Sequence, residues 1–281
     1  MLGVRILTAP YAPLPTLTAA VHYLEFLSAL HERLAAPTYL EIGVRHGDSL
    51  VLAHQQAKAV GIDPQLELRV ALRPGVALFE ETSDEFFDRD DPLAPLDGEP
   101  VAFAFIDGMH LAEFVVRDFA NVERHAAWSS VVVFDDILPR TVEEAARDRR
   151  TRAWTGDVYK ALAVLERRRP DLICLRVDTE PTGLGVVLGL DPLHRALQED
   201  YDAIVRETVV PDPQDVPARV LARAGALDPA AVLAAGVWPW LVEARARGLT
   251  RRRGIHFLRR AVRRELGVSV PRPRLVDLAS A

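Results

Sequence analysis

The sequence has little cysteine and little lysine. Its 281 residues include a single cysteine, Cys174, which excludes an internal disulfide and a zinc site built from several cysteines. The only lysines are Lys58 and Lys160, and the net charge is −6, which argues against a nucleic-acid partner. No apolar run approaches the roughly 18 residues of a membrane span, and no signal-peptide pattern is found. These absences predict a cytoplasmic globular protein without a membrane partner.

Short apolar runs alternate with helix-like segments over the first 190 residues. An opening helix is predicted over 16–35 from its apolar spacing. Strands are predicted at 38–42, 60–63, 76–79, 101–107, 131–135, 172–177 and 185–190, and helices at 47–57, 83–89, 111–126 and 154–169. Such alternation predicts a doubly wound α/β fold with a mostly parallel, Rossmann-like sheet. The short turn-rich link before 185–190 suits a hairpin, so the last strand should be antiparallel.

Strand alternation ends after Asp191. Helices are predicted at 192–207, 216–225, 229–247 and 255–266, which gives a domain over 1–190 and a helical extension over 191–281. The extension has apolar faces that need a covering surface, and we expect a homodimer, with packing on the same domain as the alternative. An arginine-rich stretch over 245–274 suits an acidic partner or phosphate-bearing substrate, or is a solvated helix face.

A glycine-containing turn follows the first predicted strand. The segment YLEIGVRHGDS contains Glu41, Gly43 and Gly47 in the spacing E-x-G-x-x-x-G. Glycine permits a sharp turn and a close ligand, and a following helix would offer free N–H groups to an anionic group. A dinucleotide-binding loop would have a second glycine where Arg45 stands, so that reading is disfavoured.

Two further candidate ligand-binding positions follow the second and third predicted strands. Asp63, in VGIDP, ends the second strand, where a carboxylate can accept both hydroxyls of a ribose or else cap a helix. Thr82, Ser83 and Asp84 follow the third strand, where a side chain could meet an adenine edge or cap the next helix. Together with the glycine turn, they indicate a nucleoside site.

Acidic residues end the next two strands. FAFIDGMH places Asp107 and His110 after one strand, and VVVFDD places Asp135 and Asp136 after the other. Ligands of open α/β sheets bind at the carboxyl ends of the strands, so these groups should meet there. A divalent cation, Mg²⁺ or Mn²⁺, would relieve their repulsion, whereas helix capping or pairing with a nearby arginine is the structural alternative.

In this order and spacing, the motifs YLEIGVRHGDS, VGIDP, FIDGMH and VVVFDD resemble the class I S-adenosylmethionine-dependent methyltransferases. They are similar in particular to the metal-dependent macrocin-type sugar O-methyltransferases, over roughly residues 36–190. The resemblance implies that Glu41, Gly43 and Gly47 line the methionine part of S-adenosylmethionine and that Asp63 holds its ribose. We expect Ser83 to contact the same cofactor.

The resemblance also implies metal roles for Asp107, Asp135 and Asp136, with Asp107 close to the cofactor as well. The macrocin-type motif reads D-G-D, its second aspartate serving as the base, and here that position is Met109. His110 is the nearest candidate and is predicted as the general base.

The predicted function is therefore O-methylation of a small-molecule hydroxyl, on a sugar or natural product, with S-adenosylmethionine and a divalent metal. Trp154, Gly156, Asp157 and Lys160, in AWTGDVYK, are expected at a lid or substrate wall, unless Trp154 is a core aromatic. The alternatives are a non-catalytic protein that binds S-adenosylmethionine or a partner, and an NAD-dependent oxidoreductase.

Overall fold

The computed structural model describes residues 20–268, and the strands in this range form one sheet. They are β1 (Thr38–Ile42), β2 (Lys58–Ile62), β3 (Val76–Phe79), β4 (Val101–Ile106), β5 (Ala126–Phe134), β6 (Ile173–Val177) and β7 (Leu184–Leu188). The spatial order is β3-β2-β1-β4-β5-β7-β6. Neighbours from β3 to β5 are parallel, and β7 is antiparallel to both β5 and β6. The predicted doubly wound, mostly parallel sheet with an antiparallel last strand is confirmed.

Helices cover both faces of this sheet. They are α1 (Tyr23–Leu34), α2 (Ser83–Phe87), α3 (Ala112–Arg124), α4 (Tyr159–Arg168), α5 (Ala196–Glu199), α6 (Tyr201–Thr208), α7 (Ala218–Leu221), α8 (Pro229–Ala234), α9 (Val237–Ala246) and α10 (Arg251–Leu266). The helical character predicted for the extension is confirmed, although its helices are shorter than predicted except α10, which begins earlier. Helix α4 begins at Tyr159 and not at residue 154.

The opening helix begins later than predicted. The His22 imidazole accepts a hydrogen bond from the Leu24 N–H at 3.3 Å, which caps α1. Residues 16–19, the predicted start, lie outside the described residues. The helix ends at Leu34, where Ala35 adopts a left-handed conformation with φ 37°.

The predicted helix over 47–57 is wrong. A short 3₁₀ turn at Leu50–Leu52 takes its place, and β2 begins at Lys58, two residues earlier than predicted. Too few residues remain between the turn and β2 for regular helix. The glycine turn is therefore not followed by an α-helix whose N-terminus could bind an anionic group.

Two buried apolar layers lie on opposite faces of the sheet. Helices α2 to α6 cover one face with α3 and α4 at its centre, whereas α1, α8, α9 and α10 share the other core with alternate strand residues such as Phe103 and Phe105. Trp238 of α9 is fully buried in that second layer. The extension thus packs on the same chain, which was the alternative to a dimer. The homodimer and the domain boundary at residue 190 stay predictions.

A network of buried charge ties these layers together. The Arg169 guanidinium donates to Glu123 on α3 at 2.5 and 2.9 Å and to Asp171 at 2.9 Å, and Arg251 of α10 also binds Asp171 at 2.9 Å. The Arg169 side chain has no exposed surface.

Within residues 20–268, no helix is long and apolar enough to cross a membrane.

Candidate active site

The carboxyl ends of β1 and β4 approach each other closely at a glycine. Gly43 has φ +93°, and a Cβ atom there would lie 2.0 Å from the Asp107 carbonyl oxygen. Asp107 in turn donates its N–H to the Ile42 carbonyl at 2.8 Å. Position 43 therefore requires glycine for the strand ends to meet, and the contact places Asp107 directly beside the glycine turn.

An open cavity of about 590 Å³ lies along this edge of the sheet. Such a volume suits a small-molecule site. The lining combines the ends of the first four strands with part of α3 and the segment before α4. It comprises Ile42, Gly43, Arg45, Ile62, Asp63, Pro64, Gln65, Thr82, Ser83, Asp84, Asp107, Gly108, Met109, His110, Phe114, Asp118, Arg149, Arg152 and Trp154.

The Asp63 carboxylate is held in a fixed orientation at this cavity. Its Oδ2 accepts the Arg45 N–H at 2.8 Å and its Oδ1 accepts the Gln65 N–H at 2.7 Å. Each carboxylate oxygen keeps further acceptor capacity. The predicted ribose residue therefore lines the cavity with a preset geometry, although its contact with a ribose stays a prediction.

The residues predicted to bind ligand after the third strand, Thr82, Ser83 and Asp84, also line the cavity. Thr82 is the N-cap of α2 and forms a reciprocal capping box with Glu85, so the capping interpretation is confirmed for Thr82. Ser83 faces α3 instead, and its hydroxyl donates to Asp118 Oδ1 at 2.6 Å. Burial raises the pKa of Asp118 to about 7, against the lowering effect of the Ser83 hydrogen bond.

Glu41 and Gly47 are not among the residues that line the cavity. The fully buried Glu41 accepts hydrogen bonds from the Tyr39 hydroxyl at 2.6 Å and the Ser49 hydroxyl at 2.7 Å. Gly47 has φ +83° and faces Val70 and its neighbours. These contacts indicate that both residues support the conformation of the glycine turn from the side away from the cavity. Their contact with the cofactor stays a prediction.

His110 lies between two of the predicted metal carboxylates. Its Nδ1 is 2.5 Å from Asp136 Oδ2, at an angle outside hydrogen-bond geometry, and its Nε2 is 3.6 Å from Asp107 Oδ1. One ligand atom from each of Asp107, His110 and Asp136 lies within 4.8 Å of the others. Two carboxylate oxygens and an imidazole nitrogen at this spacing fit a divalent cation.

Asp135, the third carboxylate of the predicted metal set, does not join this group. Its Oδ1 accepts the N–H of Asp136 at 2.8 Å, which commits the side chain to the local backbone. Burial, with repulsion from neighbouring carboxylates, raises the pKa values of both Asp107 and Asp135 well above the usual range. The carboxylates whose spacing suits a shared cation are therefore Asp107 and Asp136, with His110 between them, and the metal role of Asp135 stays a prediction.

The backbone around His110 adopts uncommon conformations. His110 has φ 54° and Asp136 has φ 63°, both in the left-handed region. Gly156 has φ +53°, and a Cβ there would lie 1.7 Å from the His110 carbonyl oxygen. The Trp154 ring stacks on the imidazole with centroids 5.2 Å apart. Packing from the segment before α4 therefore fixes the direction of the His110 side chain.

The other predicted wall residues have a structural role. Asp157 is fully buried and accepts from Arg147 and Lys160, each at 2.9 Å. Lys160 also donates to the Thr208 carbonyl at 2.8 Å, and Arg147 binds Glu113 of α3. Of the predicted wall, Trp154 lines the cavity, whereas Asp157 and Lys160 anchor the segment to its surroundings.

Among the cavity residues that were not predicted from the sequence are Asp118, Arg149 and Arg152. Asp118 is one helical turn beyond Phe114 on α3, and an acid inside the apolar pattern of that helix was the available signal. Arg149 and Arg152 lie in an irregular segment between β5 and α4, where no periodicity points to a cavity.

Residues 40–137 match the family described as a methyltransferase domain. No curated protein matches the chain. The chain is similar to the solved structure of the O-methyltransferase TomG from Streptomyces achromogenes, with 18% identity, 63% of this chain and 84% of TomG covered and a TM-score of 0.41. It is also similar to the solved structure of an O-methyltransferase from Bacillus cereus, with 16% identity, 62% of this chain and 84% of that protein covered and a TM-score of 0.40. A third similar structure is that of the MycE methyltransferase from the mycinamycin biosynthetic pathway. The identity is 15%, 70% of this chain and 51% of MycE are covered, and the TM-score is 0.42.

The matched range begins in β1 and ends just after Asp136, so it includes the glycine turn, Asp63 and the His110 cluster. The predicted resemblance to the methyltransferases is confirmed over this range.

Proposed function

We propose that this chain is a class I S-adenosylmethionine-dependent methyltransferase that binds its cofactor along the cavity from Gly43 to Ser83. It methylates a hydroxyl group of a small molecule at His110, with a divalent cation nearby. The observation that carries this proposal is the single cavity into which Gly43, Asp63, Ser83 and His110 all open. A nucleoside-binding half and a proton-accepting half are thus adjacent.

The nucleoside half is supported by the chemistry of its acceptors. The Asp63 carboxylate is already oriented by two backbone N–H groups and has lone pairs left for the two ribose hydroxyls. The Ser83 hydroxyl donates to Asp118, which leaves its oxygen free to accept from an exocyclic amino group such as that of adenine. Phe114 adds apolar surface to the same wall.

The reacting half is supported by the position of His110. In the proposed reaction, the acceptor oxygen bonds to the methyl carbon as the carbon–sulfur bond breaks with its electron pair left on sulfur. The His110 imidazole takes the hydroxyl proton. Stacking on Trp154 holds the ring in place, and such orientation is the main contribution that a methyltransferase makes to rate.

A divalent cation fits beside this histidine. Asp107 and Asp136 would hold it through carboxylate oxygens, and Mg²⁺ and Mn²⁺ are the cations that such ligands favour. When bound, the cation would lower the pKa of a coordinated hydroxyl. It would also neutralise the carboxylates that raise one another's pKa values.

The test of the cofactor site is calorimetric titration with S-adenosylhomocysteine. We expect Asp63→Ala to weaken binding by about 10- to 100-fold, since each hydrogen bond to a charged group contributes roughly 1.5–3 kcal/mol. The control is Asp88→Ala, at an exposed carboxylate that ends α2. Asp63→Asn, which keeps one acceptor oxygen, should fall between the two.

Thermal melting of each variant checks that the fold is intact. Unchanged affinity in a folded Asp63→Ala protein would contradict the site assignment. Tight binding combined with no methyl transfer to any hydroxyl compound of a broad panel would favour the non-catalytic alternative.

A further inference from the structure

Two arginines at the acceptor end of the cavity lack a carboxylate partner. Arg149 and Arg152 both line the cavity beside His110 and Trp154, and both side chains are exposed to solvent. Within residues 20–268, neither forms an ion pair, whereas Arg150 between them faces Asp212 at 3.6 Å and Asp148 at 3.8 Å. The pairing therefore distinguishes the two cavity arginines from their neighbour.

The segment that carries these arginines is anchored on both sides. Before it, the N–H groups of Arg147 and Asp148 donate to the Asp212 carboxylate at 3.2 and 3.0 Å. After it, the Trp154 indole donates to the Ala146 carbonyl at 2.6 Å. The Arg149 guanidinium lies 6.0 Å from the Trp154 ring centroid and donates to the Arg152 carbonyl at 3.0 Å. The Arg149 guanidinium is thus held at the cavity, and the backbone of Arg152, which also lines it, is tied to Arg149.

The cofactor does not account for this positive charge. Its one carboxylate belongs to the methionine part, which the proposed function places at Gly43, and its reacting sulfonium is itself cationic. The carboxylates of the cavity do not account for it either, because Asp84 pairs with Arg117 and Asp63 is held by backbone N–H groups. Guanidinium groups bind carboxylates and phosphates through two parallel hydrogen bonds, which gives both affinity and orientation.

We infer that the methyl acceptor carries an anionic group, a carboxylate or a phosphate, which Arg149 and Arg152 bind while the accepting hydroxyl lies at His110. This inference rests on the proposed function, since it concerns the acceptor half of the same cavity. Two arginines on one side and His110 on the other fix the acceptor at two points. A hydroxyl compound without the anionic group lacks one of these points and is a poor acceptor.

The experiment measures anion binding without requiring the acceptor. Protein freed of metal on a chelating resin is saturated with S-adenosylhomocysteine and titrated at low ionic strength with pyrophosphate and, separately, with malonate. The test variant is the double substitution Arg149→Gln and Arg152→Gln. The control is Arg150→Gln, which removes one charge from the same segment outside the cavity lining, compared with two in the test variant.

We expect the parent protein to bind at least one of the two anions and the double variant to bind it about 10-fold or more weakly, as for the loss of a charge-assisted contact. Arg150→Gln should stay within about two-fold of the parent, because exposed ion pairs contribute little. The anion that binds more tightly identifies the acceptor group as phosphate or carboxylate. Absence of anion binding, or equal weakening in the double variant and in Arg150→Gln, overturns the inference.

The cofactor titration separates this outcome from failure of the proposed function. If S-adenosylhomocysteine binds all three proteins equally and only the anion result is negative, the inference alone fails. If S-adenosylhomocysteine binds none of them, the proposed function fails and the inference falls with it.

Discussion

Charged residues near the carboxyl edge of the sheet differ from those that join its helices. In the helix network, Glu123 is buried against Arg169, so each charge has an opposite charge within hydrogen-bond distance. At the sheet edge, Asp107, Asp135 and Asp136 lie together, and within the described residues His110 is the only basic side chain that pairs with them.

The difference separates stability from function. A buried carboxylate with an arginine partner is neutralised where it lies, whereas carboxylates that repel one another lower the free energy of unfolding unless a ligand compensates for them. Burial, with repulsion between these carboxylates, raises the pKa values of Asp107 and Asp135. Removing one charge from each region should therefore have opposite consequences for activity and for stability.

The largest effect is expected from Asp136→Asn. Loss of one of two carboxylate ligands should lower methyl-transfer activity by at least about 100-fold, since a catalytic cation contributes several kcal/mol, and should abolish Mn²⁺ binding measured by calorimetry. The folded state should be as stable as the parent or more stable, because repulsion is reduced. Asp135→Asn, which keeps the acceptor for the Asp136 N–H, should lower activity by about 10-fold or less.

Equal losses in Asp135→Asn and Asp136→Asn would restore the three-aspartate site that the sequence predicts. His110→Gln completes the series. If His110 is the general base, this substitution should lower the rate of methyl transfer by about 10²- to 10⁴-fold. The affinity for Mn²⁺ should change little. A loss of metal affinity in His110→Gln would make the imidazole a ligand instead.

The second effect concerns the helix network. Arg169→Met should lower the free energy of unfolding by about 3–5 kcal/mol, because Glu123 would be left buried without a cation. Affinity for S-adenosylhomocysteine should not change in the folded protein. The matched control is Arg167→Gln, whose exposed pair with Glu207 should contribute about 1 kcal/mol or less. Urea unfolding compares the two variants, and similar losses would show that burial does not distinguish these pairs.

The smallest effect concerns Glu41, a buried carboxylate that accepts hydrogen bonds from two hydroxyls. Burial raises its pKa from 4.5 to about 7, despite the lowering effect of the Tyr39 and Ser49 hydrogen bonds. The folded protein therefore holds a proton that the unfolded chain releases. Its stabilising contribution is complete below pH 4.5 and is lost as the pH rises to about 7.

Replacing this residue by Glu41→Gln should flatten the pH profile of unfolding. The free energy of unfolding of the parent should fall relative to the variant between pH 4.5 and 7, by at most about 1.4 kcal/mol per pH unit for one proton. Urea titrations across this window provide the measurement. Parallel profiles for the two proteins would mean that Glu41 keeps an ordinary pKa.

The strand pattern was predictable because buried parallel strands are short apolar runs that end in glycine or an acid. β1 and β3 have the predicted bounds, and the other strands differ mainly by residues at their ends. The segment 47–57 could not be predicted in the same way. Its apolar residues fit a helix, but Ser49 is bound to Glu41 and β2 begins at Lys58, which leaves room for one 3₁₀ turn.

Within the site, the sequence predicts which strand ends carry acids but not where each side chain is directed. Asp135 and Asp136 are adjacent and chemically identical, and the left-handed backbone at Asp136 brings that residue to His110. Arg149 and Arg152 enter the cavity through an irregular segment whose path depends on contacts distant in sequence, such as the one with Asp212. Periodicity carries no information about such contacts.

Because α8, α9 and α10 lie late in the chain yet share a core with the central strands, the ribosome completes the sheet before its cover exists. About 80 residues separate the end of β7 from the end of α10, which corresponds to roughly 4–16 seconds of synthesis. During that interval, α1 is the one helix among the described residues that can shield the apolar face that later receives Trp238. The nascent chain therefore has a defined period of vulnerability to aggregation, which ends when α9 and α10 dock and exclude water from that face.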